Sequence, residues 1–173
     1  MMKEKAKNIK WFVFDVDGVL TDGKIIYDSE GRELKNFCVK DGLGIYLLYQ
    51  AGINTAIITG RNSITVERRA KELHITEIIQ GAKEKLPAYI SFKEKYNIKD
   101  EEILFIGDDY IDLPILRRVG FPVSVPSAPD IVKRHCIYIT KKEGGNGAVR
   151  EVVELILDYQ GKLEELIKKL YLI

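Results

Sequence analysis

Residues 15–23 read Asp-Val-Asp-Gly-Val-Leu-Thr-Asp-Gly, and this stretch decides the fold of the 173-residue chain. It follows the apolar run Trp-Phe-Val-Phe at 11–14, which is typical of a buried parallel strand. Asp15 and Asp17 stand where that strand should end, and their spacing of two tends to aim both carboxylates at the same side. Because paired carboxylates at a buried strand end are costly without a cation between them, the stretch predicts a metal site, a nucleophile, or both.

Outward from this stretch, predicted strands and helices alternate along the chain. Several of the strands are rich in Ile and Val and lack polar alternation, as expected for strands covered on both faces. We predict strands at 11–14, 55–59, 78–80, 103–107, 123–125 and 137–140, and helices at 42–51, 63–73, 87–96, 112–119, 130–134 and from 148 to about 170. This series predicts an α/β fold with a doubly wound, Rossmann-like parallel sheet, whose functional edge lies at the carboxyl ends of its strands.

One segment interrupts the alternation directly after the carboxylate pair. Residues 24–27 and 33–38 flank Asp-Ser-Glu-Gly at 28–31, which predicts a small β-hairpin flap over 24–38. This hairpin should project beside the site. Neither 23–41 nor 61–85 leaves room for an inserted cap domain, so we expect residues 1–173 to form a single domain without a cap.

The composition excludes several classes of function. Lys plus Arg number 27 and Asp plus Glu number 26, a balance that gives no reason to expect nucleic acid or a membrane as a partner. No apolar run approaches a membrane span, and the N-terminus lacks the apolar core of a signal peptide. Cys38 and Cys136 have no metal-ligand spacing and are expected to be buried thiols rather than a disulfide. We therefore expect a cytoplasmic protein.

Polar side chains also follow three other predicted strands. Thr59 closes the strand at 55–59, Lys85 precedes a helix, and Asp108, Asp109 and Asp112 follow the strand at 103–107. Taken singly, each has an ordinary explanation as a turn, a helix cap or a solvated side chain. Together they would gather several acids, one hydroxyl and one amine at one edge of the sheet. Since the candidate ligands are all oxygens, with no His or Cys nearby in sequence, Mg²⁺ is the expected cation.

These residues, in this order, resemble the motifs of the haloacid dehalogenase superfamily of phosphotransferases. The run Asp-x-Asp-Gly-x-x-Thr at 15–21 matches its first motif, and Thr59, Lys85 and Gly-Asp-Asp-x-x-Asp at 107–112 match the other three. Nearly end to end, the chain is also similar to the 3-deoxy-D-manno-octulosonate 8-phosphate phosphatases, a family that acts in making a sugar of bacterial lipopolysaccharide. The stretches that carry this second resemblance are 15–23, 39–45, 58–61, 107–114 and 144–151.

The resemblance implies a catalytic role for each motif residue. Asp15 would attack phosphorus and form an aspartyl-phosphate, and Asp17 would act first as general acid and then as general base. Thr59 and nearby backbone N–H groups, with Gly60 among the residues that contact substrate, would bind the phosphoryl oxygens. Lys85 would neutralise charge on the nucleophile and the phosphate together.

The resemblance also implies how magnesium would be held. Asp15 and Asp108 would ligate it through their side chains, and Asp17 through its backbone carbonyl. Asp112 or Asp109 would hold a bound water, and the sequence leaves that choice open.

Further residues are candidates for contact with a sugar acid phosphate, the small-molecule substrate that the resemblance implies. Arg61 and Arg69 could bind its carboxylate, because a guanidinium pairs with a carboxylate through two hydrogen bonds, or they could be surface residues of a helix. Lys40, Asp41 and Gly42 could contact the sugar or cap a helix.

Several alternatives stay open beside this interpretation. Cys38 and Tyr46 depart from the family's pattern, and a phosphatase for a related nine-carbon sugar acid would carry the same motif residues. A phospho-acceptor receiver module, which signals rather than catalyses, uses similar groups in a different order along the chain. A catalytically dead member would be expected to lack a motif residue, and here every position is filled. Gly-Gly-Asn-Gly at 144–147 is expected to be a helix-entry loop rather than a phosphate cradle.

The hairpin also predicts assembly. Its Ile25, Ile26, Tyr27, Leu34 and Phe37 would leave an apolar patch and open strand edges on a monomer. Pairing of hairpins between subunits would bury that patch, and the family that the chain resembles assembles in this way. We therefore expect a homotetramer.

Overall fold

Strands and helices alternate along the chain in the computed structural model, which describes residues 2–172. The strands are β1 (Trp11–Phe14), β2 (Ile26–Tyr27), β3 (Glu33–Leu34), β4 (Asn54–Ile58), β5 (Glu77–Ile79), β6 (Ile103–Ile106), β7 (Phe121–Ser124) and β8 (Tyr138–Ile139). The α-helices are α1 (Met2–Lys7), α2 (Val39–Gln50), α3 (Ile64–Glu72), α4 (Lys85–Tyr96), α5 (Leu113–Leu116), α6 (Asp130–Lys133), α7 (Ala148–Tyr159) and α8 (Leu163–Tyr171). Two 3₁₀ turns, Asp100–Glu102 and Tyr110–Asp112, precede β6 and α5.

Six of these strands form one parallel sheet in the order β5-β4-β1-β6-β7-β8. The chain runs outward from β1 in one direction through β4 and β5, then crosses to β6 and continues to β8. Helices α1, α2, α3, α7 and α8 pack on one face of the sheet, and α4, α5 and α6 pack on the other. The predicted doubly wound α/β fold is thereby confirmed.

Strand β1 shows why the sheet is covered on both faces. Phe12 and Phe14 pack into the core on one side, and Trp11 and Val13 pack into the core on the other. All four residues are buried, as a continuous apolar strand at the centre of a parallel sheet requires. The carboxyl end of β1 therefore lies at the middle of the sheet edge, between the ends of β4 and β6.

The hairpin exists, but its strands are much shorter than predicted. β2 and β3 pair through only Ile26 with Leu34 and Tyr27 with Glu33. A two-stranded ribbon with little covering it has few contacts to extend its pairing. After β3 the chain bends inward, and Phe37 packs half-buried against the core instead of joining the exposed patch.

The helices differ from prediction mainly at their ends. The predicted helix from 148 to about 170 is two helices, because Gly161 adopts a φ of +71° and ends the run after α7. The predicted helix 112–119 is the 3₁₀ turn Tyr110–Asp112 followed by the single-turn α5. Helix α1 was not predicted, and α4 begins at Lys85, before the predicted start at Pro87.

Two further expectations concern membrane-spanning helices and the two cysteines. Within residues 2–172, no helix is both long and apolar enough to cross a membrane. Cys38 and Cys136 are free thiols, as expected, but both are half-buried rather than buried.

Candidate active site

The carboxylate pair lies in the loop that leaves the carboxyl end of β1. Asp15 extends the strand by one residue, since its N–H donates to the Ile106 carbonyl oxygen at 3.0 Å. The loop then turns at Val16, whose carbonyl oxygen accepts hydrogen bonds from the N–H groups of residues 19–21. Asp15 is 5% exposed at the floor of the site, whereas Asp17 is half-buried nearer its rim.

Three acids from two loops converge at this sheet edge. Asp15, Asp108 and Asp112 each offer a carboxylate oxygen, and these oxygens all lie within 4.8 Å of one another. Asp112 is fully buried, and its Oδ2 accepts hydrogen bonds from the N–H groups of Asp108 at 2.9 Å and Asp109 at 3.2 Å. Asp109 instead caps the 3₁₀ turn by accepting from the Tyr110 N–H at 2.7 Å. The geometry therefore favours Asp112 over Asp109 as the third acid of the cluster.

Lys85 joins the acids to the first turn of α4. Its Nζ donates to Asp15 Oδ1 at 2.7 Å and to Asp112 Oδ1 at 2.6 Å, and its side chain is fully buried. Burial lowers the pKa of Lys85, but the charges of Asp15 and Asp112 outweigh it and hold the pKa above its usual value. The amine therefore stays protonated and neutralises part of the negative charge of the cluster.

The remaining negative charge raises the pKa of two of the acids. Burial raises the pKa of Asp15 to about 6, with the charge of Lys85 lowering it and that of Asp112 raising it. Burial, with the charges of Asp15 and Asp112, raises the pKa of Asp108 to about 8. One amine thus does not balance the three carboxylates, and a cation among them would restore their ionised form.

The donor set and the local backbone both fit Mg²⁺. Every candidate ligand is an oxygen, which is what this hard cation prefers. Gly18, at a φ of +93°, faces the same cluster, and a Cβ built on it would fall 2.0 Å from Asp108 Oδ2. Only glycine leaves room for the Asp108 carboxylate there, so the loop is shaped around that acid.

A cavity of about 280 Å³ opens above the cluster. Its walls come from the ends of β1, β4 and β6, so the predicted Thr59, Gly60 and Arg61 face the carboxylate pair. The lining residues are Asp15, Asp17, Gly23, Thr59, Gly60, Arg61, Asp108, Asp109 and Ile111. Thr59 is buried in its wall, whereas the side chain of Arg61 is 42% exposed and its guanidinium ion-pairs with Glu33 at 2.8 Å.

Two residues of the hairpin reach this site, and the sequence interpretation missed both. Lys35 Nζ donates to Asp17 Oδ1 at 2.5 Å and lies 3.3 Å from Glu33 Oε1. Glu33 in turn accepts the hydrogen bond from Arg61 Nη2. The signal was present, because the spacing of two between Glu33 and Lys35 puts both side chains on one face of an extended strand.

The run at 40–42 serves the packing of helices rather than the cavity. Asp41 is buried, and its carboxylate accepts hydrogen bonds from the N–H groups of Gly147 at 3.1 Å and Arg150 at 2.8 Å. It therefore caps α7, and burial raises its pKa. Lys40 is exposed and lines a separate surface depression beside Arg150. Of the two roles left open for this run, the helix cap is the one that the structure bears out for Asp41.

Arg69 also lies outside the cavity of its own chain. Its guanidinium rests against the backbone of Gly42, where a Cβ would fall 2.3 Å from Arg69 Nη2. Nη1 pairs with Glu72 at 3.2 Å, and Nε is buried without a hydrogen-bond partner among the described residues. Of the two predicted carboxylate-binding arginines, only Arg61 faces the acids within one chain.

The glycine-rich loop before α7 packs against the loop that carries Asp15. A Cβ built on Gly144 would fall 1.7 Å from the Gly18 carbonyl oxygen. Gly145 has a φ of +64°, and a Cβ built on it would fall 2.4 Å from the carbonyl carbon of Thr21. The loop is thus the predicted helix-entry segment, and it buttresses the catalytic loop from outside the cavity.

Comparison with known proteins gives one family and a set of close relatives. Residues 74–152 match the family described as haloacid dehalogenase-like hydrolase. The chain is 45% identical over 161 residues to the 3-deoxy-D-manno-octulosonate 8-phosphate phosphatase of Salmonella typhi, which covers 93% of this chain and 86% of the relative. It is 44% identical over the same shares to the corresponding phosphatase of Yersinia pestis.

Solved structures agree with these relatives. The 3-deoxy-D-manno-octulosonate 8-phosphate phosphatase of Moraxella catarrhalis, crystallised with magnesium, phosphate and KDO, is 51% identical with a TM-score of 0.95 over 97% of each chain. The cobalt-bound phosphatase of Haemophilus influenzae is 40% identical with a TM-score of 0.88, over 92% of this chain and 93% of that one.

Proposed function

This chain belongs to the 3-deoxy-D-manno-octulosonate 8-phosphate phosphatase family of haloacid dehalogenase-like hydrolases, and we propose that it hydrolyses that sugar acid phosphate to the free sugar acid and phosphate. The observation that carries the proposal is the position of Asp15. Its carboxylate lies at the floor of a cavity, bound to Lys85 and grouped with Asp108 and Asp112. That is the arrangement required of a nucleophile that attacks an anionic phosphate.

The first step is transfer of the phosphoryl group to Asp15. An Asp15 oxygen attacks phosphorus, the bond to the sugar oxygen breaks, and Asp17 gives that oxygen a proton. Asp17 is suited to this role because it lies nearer the rim, where the leaving sugar would be. Thr59 and the backbone N–H of Gly60, both in the wall of the cavity, would bind phosphoryl oxygens.

The second step frees phosphate and restores Asp15. Asp17, now a carboxylate, takes a proton from a water that attacks the phosphorus of the aspartyl-phosphate. The bond between phosphorus and the Asp15 oxygen breaks, and the carboxylate returns to its partner Lys85. One residue serves both steps because the first step leaves it in the form that the second requires.

Charge repulsion is the main obstacle to the first step. Two like charges about 4 Å apart repel by roughly 4 kcal/mol at an effective dielectric near 20. Lys85 offsets part of this repulsion. Asp15, Asp108, Asp112 and the backbone carbonyl of Asp17 are the groups that would hold Mg²⁺, which when bound supplies the rest of the positive charge.

We propose that Arg61 binds the carboxylate of the sugar acid. Arg61 lines the cavity opposite the acids, and its guanidinium can form two parallel hydrogen bonds with a carboxylate. In the structure it pairs with Glu33, so substrate would exchange one carboxylate partner for another. Arg69 stays a candidate for the same group, but its place outside the cavity means that it would have to act from a neighbouring subunit.

A substrate panel tests the assignment. Phosphate release would be measured with Mg²⁺ for the eight-carbon sugar acid phosphate, a nine-carbon sugar acid phosphate, a sugar phosphate without a carboxylate, a nucleotide and phosphoserine, with Asp15→Asn as the blank. We expect the highest kcat/KM for the eight-carbon compound. A higher value for the nine-carbon compound would move the assignment to that alternative, and a higher value for nucleotides or phosphoserine would refute it.

The exposed apolar residues of the hairpin favour assembly of several chains. In a single chain, Ile25, Ile26, Tyr27 and Leu34 are 39% to 61% exposed on the hairpin, an apolar patch that a soluble monomer would rarely keep. We propose that the chain forms a homotetramer through its hairpins and acts in the cytoplasm on a lipopolysaccharide precursor. Sedimentation equilibrium at assay concentration is the test, and a fully active monomer would refute the tetramer.

A further inference from the structure

Lys35 is the most deeply buried cation of the hairpin. Its side chain is 2% exposed, whereas those of Lys24 and Arg32, on the same hairpin, are 74% and 70% exposed. A lysine side chain has a flexible stem and a strongly hydrated head, and it stays in water unless partners hold it. Lys35 therefore occupies a defined position that its two acidic partners, Asp17 and Glu33, maintain.

Of the two partners of Lys35, Asp17 is the one with a proposed catalytic role. Lys35 Nζ donates to Asp17 Oδ1, and no hydrogen bond from the described residues goes to Asp17 Oδ2. The ammonium thus fixes one oxygen of the carboxyl group and leaves the other without a protein donor, in a residue that lines the cavity. Without Lys35, the Asp17 side chain would be free to rotate about its terminal torsion, which has broad minima.

The ion pair also ties the hairpin to the two loops beneath it. Lys35 lies next to Glu33, and Glu33 pairs with Arg61 at the end of β4. A continuous chain of charges therefore runs from Asp17 through the hairpin to Arg61. The position of the hairpin and the orientation of Asp17 are in this way linked by direct contacts.

We propose that Lys35 is a positioning residue for the acid/base carboxyl of Asp17, an inference that rests on the proposed phosphatase function. Lys35 holds Oδ1, so that the proton on Oδ2 passes to the leaving oxygen as its bond to phosphorus breaks. In the second step the same Oδ2 accepts a proton from the attacking water. The role is one of orientation, because Lys35 neither gains nor loses a proton.

This role has a consequence that a merely structural lysine would not have. A sugar alkoxide needs a proton in order to leave, whereas p-nitrophenolate leaves without one. The value of kcat/KM reports on steps up to transfer of the phosphoryl group to Asp15. Loss of Lys35 should therefore lower kcat/KM for an alkyl phosphate far more than for p-nitrophenyl phosphate.

The test compares three variants on these two kinds of substrate. For Lys35→Met we expect kcat/KM to fall at least about tenfold for the sugar acid phosphate, a share of the 10²–10⁴-fold that general acid catalysis contributes. It should fall by a similar factor for a sugar phosphate without a carboxylate, whose hydrolysis does not use Arg61. For p-nitrophenyl phosphate we expect a change below about threefold. Lys35→Arg should restore most of the difference, and Arg32→Met, which removes an exposed cation of the same hairpin, should change neither value.

Two outcomes would overturn the proposal. These are an equal loss on both substrates, or no loss on the sugar acid phosphate. If Lys35→Met melts below assay temperature, Lys35→Ala provides the same comparison, because it also removes the donor to Asp17. Should the wild-type chain fail to hydrolyse the sugar acid phosphate, the proposed substrate is wrong, and the comparison is then made on whichever alkyl phosphate it does hydrolyse.

Discussion

Gly144 touches Gly18 so closely that a Cβ on Gly144 would fall 1.7 Å from the Gly18 carbonyl oxygen. Gly18 belongs to the loop that carries both catalytic carboxylates, and its own hydrogen faces Asp108. A residue outside the cavity thus sets how far the catalytic loop can move away from the sheet.

Gly144→Ala should therefore displace the catalytic loop from outside the cavity. We expect the free energy of unfolding to fall by about 1–3 kcal/mol, as for other overpacked positions, with weaker activation by Mg²⁺. Urea unfolding and a Mg²⁺ titration of activity would measure both effects. Gly31→Ala is the control, since a Cβ there meets nothing within 4 Å. Its φ of +78° strains alanine, a strain that Gly144 does not share, so any loss of stability in Gly31→Ala reports that strain alone. Wild-type stability and activity in Gly144→Ala would contradict the close approach.

The covalent mechanism makes a prediction for Asp15 and Asp17. Asp15→Asn should lower phosphate release by at least about a thousandfold, because an amide does not attack phosphorus. Asp17→Asn should lower kcat by about 10²–10⁴-fold, the usual contribution of a general acid or base. Circular dichroism should show both variants folded. Phosphate release by Asp15→Asn within tenfold of wild type would exclude an aspartyl-phosphate.

Lys85 should stabilise the fold as well as the reaction. Lys85→Met leaves Asp15 and Asp112 without their shared cation, and breaking a buried ion pair from one side costs about 3–5 kcal/mol. Lys83→Met is the matched control, because Lys83 is exposed and its loss should change stability by less than about 0.5 kcal/mol. Thermal melting without metal distinguishes the two. Equal melting temperatures would show that the acids do not depend on Lys85.

The raised pKa values of Asp15 and Asp108 predict how metal binding depends on pH. Because the folded state holds their protons more tightly than the unfolded state, their contribution to stability is full below pH 3.8. It is lost as pH rises through about 6 for Asp15 and about 8 for Asp108. Mg²⁺ competes with those protons and relieves the repulsion between the ionised acids.

The rise in melting temperature caused by Mg²⁺ should therefore grow between pH 5 and pH 8. Asp108→Asn should be more stable than wild type at pH 8 without metal and should lose most of the Mg²⁺ effect. Differential scanning calorimetry across this range provides the measurement. An Mg²⁺ effect that is the same at pH 5 and pH 8 would contradict the raised values.

The sequence predicted the sheet edge well because its evidence is local. Asp15, Thr59 and Asp108 each follow a strand with a strong apolar pattern, Lys85 opens the helix after β5, and parallel strands bring their carboxyl ends together whatever the loops do. A short motif and the order of elements therefore sufficed to predict that these four side chains meet.

What the sequence did not predict depends on contacts between distant segments. Lys35 meets Asp17 only because the chain bends inward after β3, and Asp41 caps a helix whose N-cap residue, Gly147, lies 106 residues further on. The spacing of two between Glu33 and Lys35 places their side chains on one face, but no periodic or compositional pattern identifies Asp17 as the partner of Lys35, or α7 as the partner of Asp41. Tertiary packing likewise sets three other features. These are the half-buried position of Phe37, the break between α7 and α8 at Gly161, and the packing of Arg69 against the backbone of Gly42.

The first turn of α4 depends on the acids of the site. Glu84, at the position where a helix is normally capped, makes no side-chain capping hydrogen bond, and the helix begins with a lysine, whose charge opposes the positive end of the helix dipole. Asp15 and Asp112 compensate by holding that lysine in place. The amides that this first turn protects, from Ala88 onward, should then exchange with solvent faster whenever the acids are neutralised or drawn away, so hydrogen exchange at 88–91 would report the occupancy of the site without an added label.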